Sequence, residues 1–222
     1  MASANEILKQ LKSKANAENV QGMARFDMAT DKRLGISIPE LRKLAKATGK
    51  DHELALELWK TGIPEAQIVA ALVAEPDKLT SGQMDTWVKD FNSWDVCDQV
   101  CMNLFDKTPL AWGKIHEWSQ RDEKFVKRAA FALIACLAWH NKTASDEAFA
   151  NLVPVIEIGA TDARNYVKKA VSWALRHIGK RNPNLHEVAM QAAEKMQQSE
   201  SKAARWIAAD AIRDLTSDTT KD

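Results

Sequence analysis

The chain has 222 residues, 45% of them apolar and 27% charged, with a formal net charge of +1. That length suits one large domain or a short helical array, and the balance is that of a globular chain rather than a disordered one. No stretch reaches the ~18 consecutive apolar residues of a membrane span, and so small a net charge does not announce a nucleic-acid binder, so any such role must rest on where the cations sit.

Eight Gly and six Pro are few for this length, and the abundant Ala, Leu, Lys, Glu and Gln favour helix. No segment alternates cleanly as a strand, so the expected fold is all-α. The start, Met1-Ala2-Ser3-Ala4-Asn5, lacks a basic region followed by an apolar run, so no secretory signal is read there. Ser3-Ala4-Asn5-Glu6 predicts a capping box before Ile7, Leu8 and Leu11. Pro39, Pro64 and Pro183 fit first helical turns or inter-helix loops. Gly49, Gly62, Gly82, Gly113, Gly159 and Gly179 fall between helical patterns or near their ends, as stops should.

Weak internal repetition is the most informative feature. Residues 66–74 and 94–105 are apolar helical stretches at roughly 30-residue intervals. Val126-Lys127-Arg128-Ala129-Ala130-Phe131 opens another, and 129–139, the longest apolar run at 11 residues, reads as a buried core helix. Forty-one residues on comes Val167-Lys168-Lys169-Ala170-Val171-Ser172-Trp173, and 34 further Ser201-Lys202-Ala203-Ala204-Arg205-Trp206. Each places two basic residues near a helix start, then small alanines, then an aromatic. This period predicts HEAT- or armadillo-like helix pairs. No linker divides the chain, so one continuous array over 1–222 is expected, with termini (about 1–4 and 217–222) frayed.

Equivalent residues of stacked repeats align along one surface. Lys127/Arg128, Lys168/Lys169 and Lys202/Arg205 then form a stripe, with Arg176, Lys180 and Arg181 nearby, suited to a DNA backbone. The plainer reading is that these cations solvate exposed helix starts. The macrodipole disfavours cations there, so their recurrence hints at a ligand that supplies negative charge.

Phe91-Asn92-Ser93-Trp94-Asp95-Val96-Cys97-Asp98 is the densest stretch. Ser93 or Asn92 predicts an N-cap with Asp95 in the first turn. Trp94 and Asp98 share a helix face about 6 Å apart, a carboxylate beside an indole that suits a cation. An ordinary amphipathic helix has the same spacing. Trp173 is either core or partly exposed; its neighbour Ser172 and the basic flank favour exposure. Trp59, Trp87, Trp112, Trp118, Trp139 and Trp206 are expected to pack. Cys97, Cys101 and Cys136 predict reduced buried thiols, since no His or further Cys completes a zinc set. His52, His116, His140, His177 and His186 form no triad and are expected at the surface or at helix ends. No phosphate-cradling Gly-rich loop or metal-binding helix signature is present.

Ser93-Trp94-Asp95-Val96-Cys97-Asp98, Lys127-Arg128-Ala129-Ala130-Phe131 and Lys168-Lys169-Ala170-Val171-Ser172-Trp173-Ala174-Leu175-Arg176 are similar to signatures of the AlkD-like DNA alkylation repair family, and Gly35-Ile36-Ser37-Ile38-Pro39-Glu40-Leu41-Arg42 resembles that family's opening motif. The resemblance runs from about Met23 to Leu215. It implies a right-handed superhelical solenoid of HEAT-like helix pairs with a concave basic groove. The implied activity is a monofunctional glycosylase that excises N3- and N7-alkylated purines from duplex DNA without a base-flipping pocket. Carried over by residue, Trp94 and Trp173 flank the deoxyribose, Asp98 is the catalytic carboxylate and Arg128 holds a phosphate. Phe26 falls where some members place a Tyr, which removes a hydroxyl. Lys127, Lys168, Lys169, Arg176, Lys202 and Arg205 are the further DNA-binding candidates. The expected partner is double-stranded DNA carrying alkylated purines, bound by a cytoplasmic monomer with no cofactor, metal, nucleotide or membrane. Two other readings stand beside this one: a non-catalytic DNA-structure-binding relative, and a HEAT-like protein-interaction scaffold, which predicts an apolar or acidic groove.

Overall fold

Ser3 starts the first helix as its sequence predicts: its hydroxyl accepts from the Glu6 amide and the Glu6 carboxylate accepts from the Ser3 amide. The computed structural model describes residues 2–218. Fraying expected at Met1 and at 219–222 lies outside the described residues; Ser3 and Ala4 belong to the capped start. Among the described residues no strand forms, and no helix is long and apolar enough to cross a membrane.

The chain divides into two compact units, Met1–Leu110 and Ala111–Asp222. The first contains α1 (Ala4–Ser13), α2 (Ala17–Ala24), α3 (Ile38–Thr48), α4 (His52–Trp59), α5 (Pro64–Val73), α6 (Ser81–Lys89) and α7 (Trp94–Asn103). The second contains α8 (Ala111–Ser119), α9 (Lys124–His140), α10 (Asp146–Ala150), α11 (Val153–Gly159), α12 (Asn165–Gly179), α13 (Pro183–Gln197) and α14 (Lys202–Asp218).

In the first unit α5 is the central element, packed against α3, α4 and α7. Its sequence is apolar apart from Glu65 and Gln67, and every residue except Leu72 is buried. Pro64 opens it, where a missing N–H costs nothing. The connection between α2 and α3 crosses the starts of α5 and α7. Leu34 and Gly35 amides donate to the buried Glu65 carboxylate at 2.8–3.0 Å. Gly35 has φ +78°, and a Cβ there would sit 2.3 Å from the Asn16 carbonyl oxygen, so the turn requires glycine.

In the second unit α9, α12 and α14 run side by side in the same direction. Contacts join start to start, Arg128 to the Tyr166 carbonyl and Lys168 to the Trp206 ring. They also join end to end, Arg181 to the Ala138 carbonyl and Gly179 to Leu215. The predicted core run on α9 is buried through Ala138. Trp139 is not packing as expected: it is half-exposed in the last turn of α9, lying against His140 at 4.8 Å. Trp206 also stays exposed, covered on one side by Lys168.

The glycines divide in function. Gly49 (φ +82°) ends α3 as predicted. Gly82 and Gly113 instead lie inside α6 and α8, in the first turns. Gly159 and Gly179 close α11 and α12 because Phe131 and Leu215 occupy the space a side chain would need. His52 begins α4 as a helix-end residue but is buried rather than solvated.

Candidate nucleic-acid interface

At the start of α7, Ser93 is the N-cap by backbone geometry, yet its hydroxyl does not cap the helix. That hydroxyl donates to the Asp95 carboxylate and accepts from the Ala29 amide at 3.1 Å. Asp95 in turn receives both Nη1 (2.8 Å) and Nη2 (3.0 Å) of Arg33, whose Nε donates to the Ala29 carbonyl. Arg33, Ser93 and Asp95 are all buried. The first-turn acid expected to face the macrodipole is therefore the anchor of a buried, bidentate pair that ties residues 25–37 to α7.

This anchoring sets the indole. Trp94 is half-buried, and its Nε1–H donates to the Phe26 carbonyl at 3.0 Å. Asp98, one turn on, is half-buried on the same face. Phe26 contributes its backbone carbonyl to Trp94, and its ring is 70% exposed.

In the second unit the basic residues of three helix starts come together. Arg128 is buried, with Nη1 on the Tyr166 carbonyl at 2.6 Å. Lys168 lies 4.3 Å from the Trp206 ring centre. Lys127 sits 3.7 Å from Asp162, which also accepts from the Arg164 guanidinium and backbone amide, hydrogen bonds that keep its carboxyl below the usual range. Lys169 and Lys202 are exposed and form no ion pair among the described residues.

Other members of the predicted stripe are committed to the protein. Arg176 lies between Asp210 (3.6 Å) and Asp214 (3.5 Å), and Lys180 pairs with Asp214 at 2.7 Å. Arg205 turns back to the Ser199 and Glu200 carbonyls. Arg181 caps the far end of α9 through the Ala138 and Asn141 carbonyls; thirteen residues of rise put it about 20 Å from Lys168 along the helix. Arg176 and Lys180 lie about three to four turns beyond the start of α12, where Asp210 and Asp214 of α14 meet them.

Trp173 is half-buried, as its flank suggested, although Ser172 itself is buried and donates to Asp210 at 2.6 Å. The Trp173 ring meets His177 edge-on at 5.8 Å. Burial first, then the Arg176 and Lys180 charges, lower His177 to about 4. The three cysteines are buried and form no disulfide among the described residues.

Sequence reading missed Arg33, Glu65 and the pairing role of Asp95, because partners 62 and 31 residues apart leave no local pattern. It also missed a cleft of about 510 Å³ in the first unit, lined by residues that include Lys32, Lys60 and Gln67.

A family model described as DNA alkylation repair enzyme matches residues 7–215. Among solved structures, the chain is similar to one described as belonging to a new family of proteins related to the HEAT-like repeat DNA glycosylases, with affinity for branched DNA structures. The TM-score is 0.79 at 17% identity, covering 96% of this chain and 95% of that one. A designed armadillo repeat protein in complex with the peptide (KR)4 aligns over 94% of this chain and 91% of that one, at 15% identity and a TM-score of 0.41. The curated proteins give no match. The 0.79 likeness shows the fold, an all-α array of HEAT-like helix repeats.

Proposed function

The chain belongs to the DNA alkylation repair enzyme family, and from that premise we propose that it is a monofunctional DNA glycosylase acting on N3- and N7-alkylated purines in duplex DNA. What supports the chemistry best is the start of α7, where an indole held by the Phe26 carbonyl stands one turn from the Asp98 carboxylate.

Alkylation leaves the purine cationic, so the base departs with the bonding pair and needs no protonation. The deoxyribose is left with oxocarbenium character. Asp98 stabilises that charge and takes the proton of the water that adds at C1′, giving free base and an abasic site. A unit charge pair at 4 Å is worth about 4 kcal/mol at an effective dielectric of 20, roughly a thousandfold if realised only in the transition state. The Trp94 face adds a cation–π share of ~1–2 kcal/mol. From the second unit, Trp173 offers a further aromatic contact to DNA, and Arg128, Lys168, Lys169 and Lys202 meet phosphates along a basic groove. The protein acts as a single array and a monomer, in the cytoplasm.

The test is release of free 7-methylguanine or 3-methyladenine from methylated duplex. Wild-type protein should release base, and Asp98→Asn should lose about a thousandfold in rate; full activity in that variant removes Asp98 from the mechanism. Each phosphate contact contributes about 0.9 to the salt slope of duplex binding. Lys169→Ala/Lys202→Ala should flatten it by about 1.8 and Arg128→Ala by about 0.9, and an unchanged slope puts those side chains outside the interface.

A second reading is favoured by the affinity for branched DNA described for the structural relative: a DNA-structure-binding protein without base release. Tight binding of a four-way junction by a protein that releases no base from methylated duplex would select it.

A further inference from the structure

The cleft in the first unit lies among α4, α5, α6 and the connection that carries Lys32, and its volume of about 510 Å³ is in the range of small-ligand sites. One wall is apolar. Trp59 and Trp87 stack with centroids 3.9 Å apart and planes within 2°, and Phe91 meets Trp59 edge-on. The Trp59 Nε1–H donates to Asp90 at 2.8 Å, which fixes the wall and occupies that carboxylate.

Gln67 also lines the cleft. It is 5% exposed, yet its carboxamide has no hydrogen-bond partner among the described residues. Its amide atoms reach the open cleft, where a ligand with both a donor and an acceptor can meet them. At the mouth, Lys32 and Lys60 are exposed and form no ion pair among the described residues. Lys32 has φ +54°, a left-handed conformation that L residues seldom adopt. Its ammonium lies 3.4 Å from where a side chain on Gly62 would begin, beside the opening. Asp31, also at the rim, can accept from an amino or hydroxyl group.

We propose that this cleft holds one unpaired nucleotide of a DNA strand, with Gln67 bonded to the base edge and Lys32 and Lys60 receiving the flanking phosphates. A carboxamide matches a base edge in two hydrogen bonds, as Gln does with adenine. The one apolar wall makes no demand on base identity, and paired cations at the mouth suit a strand that enters and leaves. The occupant is a neighbour in the strand and not the alkylated base, whose departure needs no pocket. The inference rests on the DNA-binding reading above.

The experiment compares a duplex carrying a single unpaired 2-aminopurine with the fully paired duplex of equal length, by binding affinity and by quenching of the probe. Wild-type protein should favour the unpaired form at least tenfold and quench it. Gln67→Ala should lose about tenfold on the unpaired form alone, the worth of one good bidentate contact. Lys32→Ala/Lys60→Ala, a surface change that leaves the core intact, should lose the preference as well. Equal wild-type affinity for the two duplexes, or a preference that survives in the lysine double variant, overturns the inference while leaving the DNA reading in place. Failure to bind either duplex removes the DNA reading and this one together.

Discussion

Asp95 and Asp98 sit three residues apart on α7, and their surroundings give them different chemistry. Asp95 is sealed under Arg33 with both oxygens engaged, so removing it strands a buried guanidinium. Asp95→Ala should cost about 3–5 kcal/mol, whereas Asp98→Asn, at a half-buried position, should cost less than about 1 kcal/mol. Urea unfolding of both variants checks this, and equal losses would mean that Arg33 finds another partner. That Trp94 and Asp98 share a helix face was legible because spacing along one helix is a local property. Arg33 and Gln67 were not, since burial of a polar side chain depends on elements distant in the chain. His177 sets a pH response. Its folded value near 4 lies below the ordinary 6.5, so between those limits the unfolded chain holds a proton that the folded chain does not. Stability should therefore fall as pH drops from 6.5 towards 4, and His177→Gln should flatten that loss in unfolding curves at pH 7 and pH 5; parallel losses in both proteins would assign the effect to carboxylates.

Among elements, the parallel set of α9, α12 and α14 explains why some basic residues of the predicted stripe pair within the protein and others do not. The first turns share an edge, but Arg176 and Lys180 lie further along α12, where Asp210 and Asp214 of α14 meet them. Glycine was the harder signal. A glycine marks a stop when the chain needs a left-handed residue, as at Gly49, but marks close packing when a neighbour fills the missing side chain, as at Gly159 against Phe131. Sequence does not distinguish the two. Gly159→Ala should place a methyl about 2 Å from the Phe131 ring, costing about 1–3 kcal/mol through overpacking. Gly82→Ala meets open space in a helix and should gain up to about 1 kcal/mol. Thermal melts of the two would separate these roles, and a neutral Gly159→Ala would show that α11 slides freely over α9.

For the whole molecule, the helical class and the period were legible because apolar faces recur at helix spacing along the entire chain. The division at Leu110 was not, because no change of composition marks it. The near-zero net charge also becomes intelligible. Acids such as Asp162, Asp210 and Asp214 neutralise the cations that brace the second unit, while Lys169 and Lys202 stay outside those pairs. A modest overall charge is thus compatible with a locally basic edge.

The fully enclosed thiols have a practical consequence. Cys97 and Cys101 lie in the first unit and Cys136 in the second, each with no accessible surface. A soluble disulfide reagent should modify none of them until its unit opens, so labelling rates resolved by mass spectrometry read two opening equilibria from unaltered protein. Cys97 and Cys101, on one helix, should label in step, with Cys136 following the rhythm of its own half; modification of any of the three at the speed of a free thiol would contradict their enclosure.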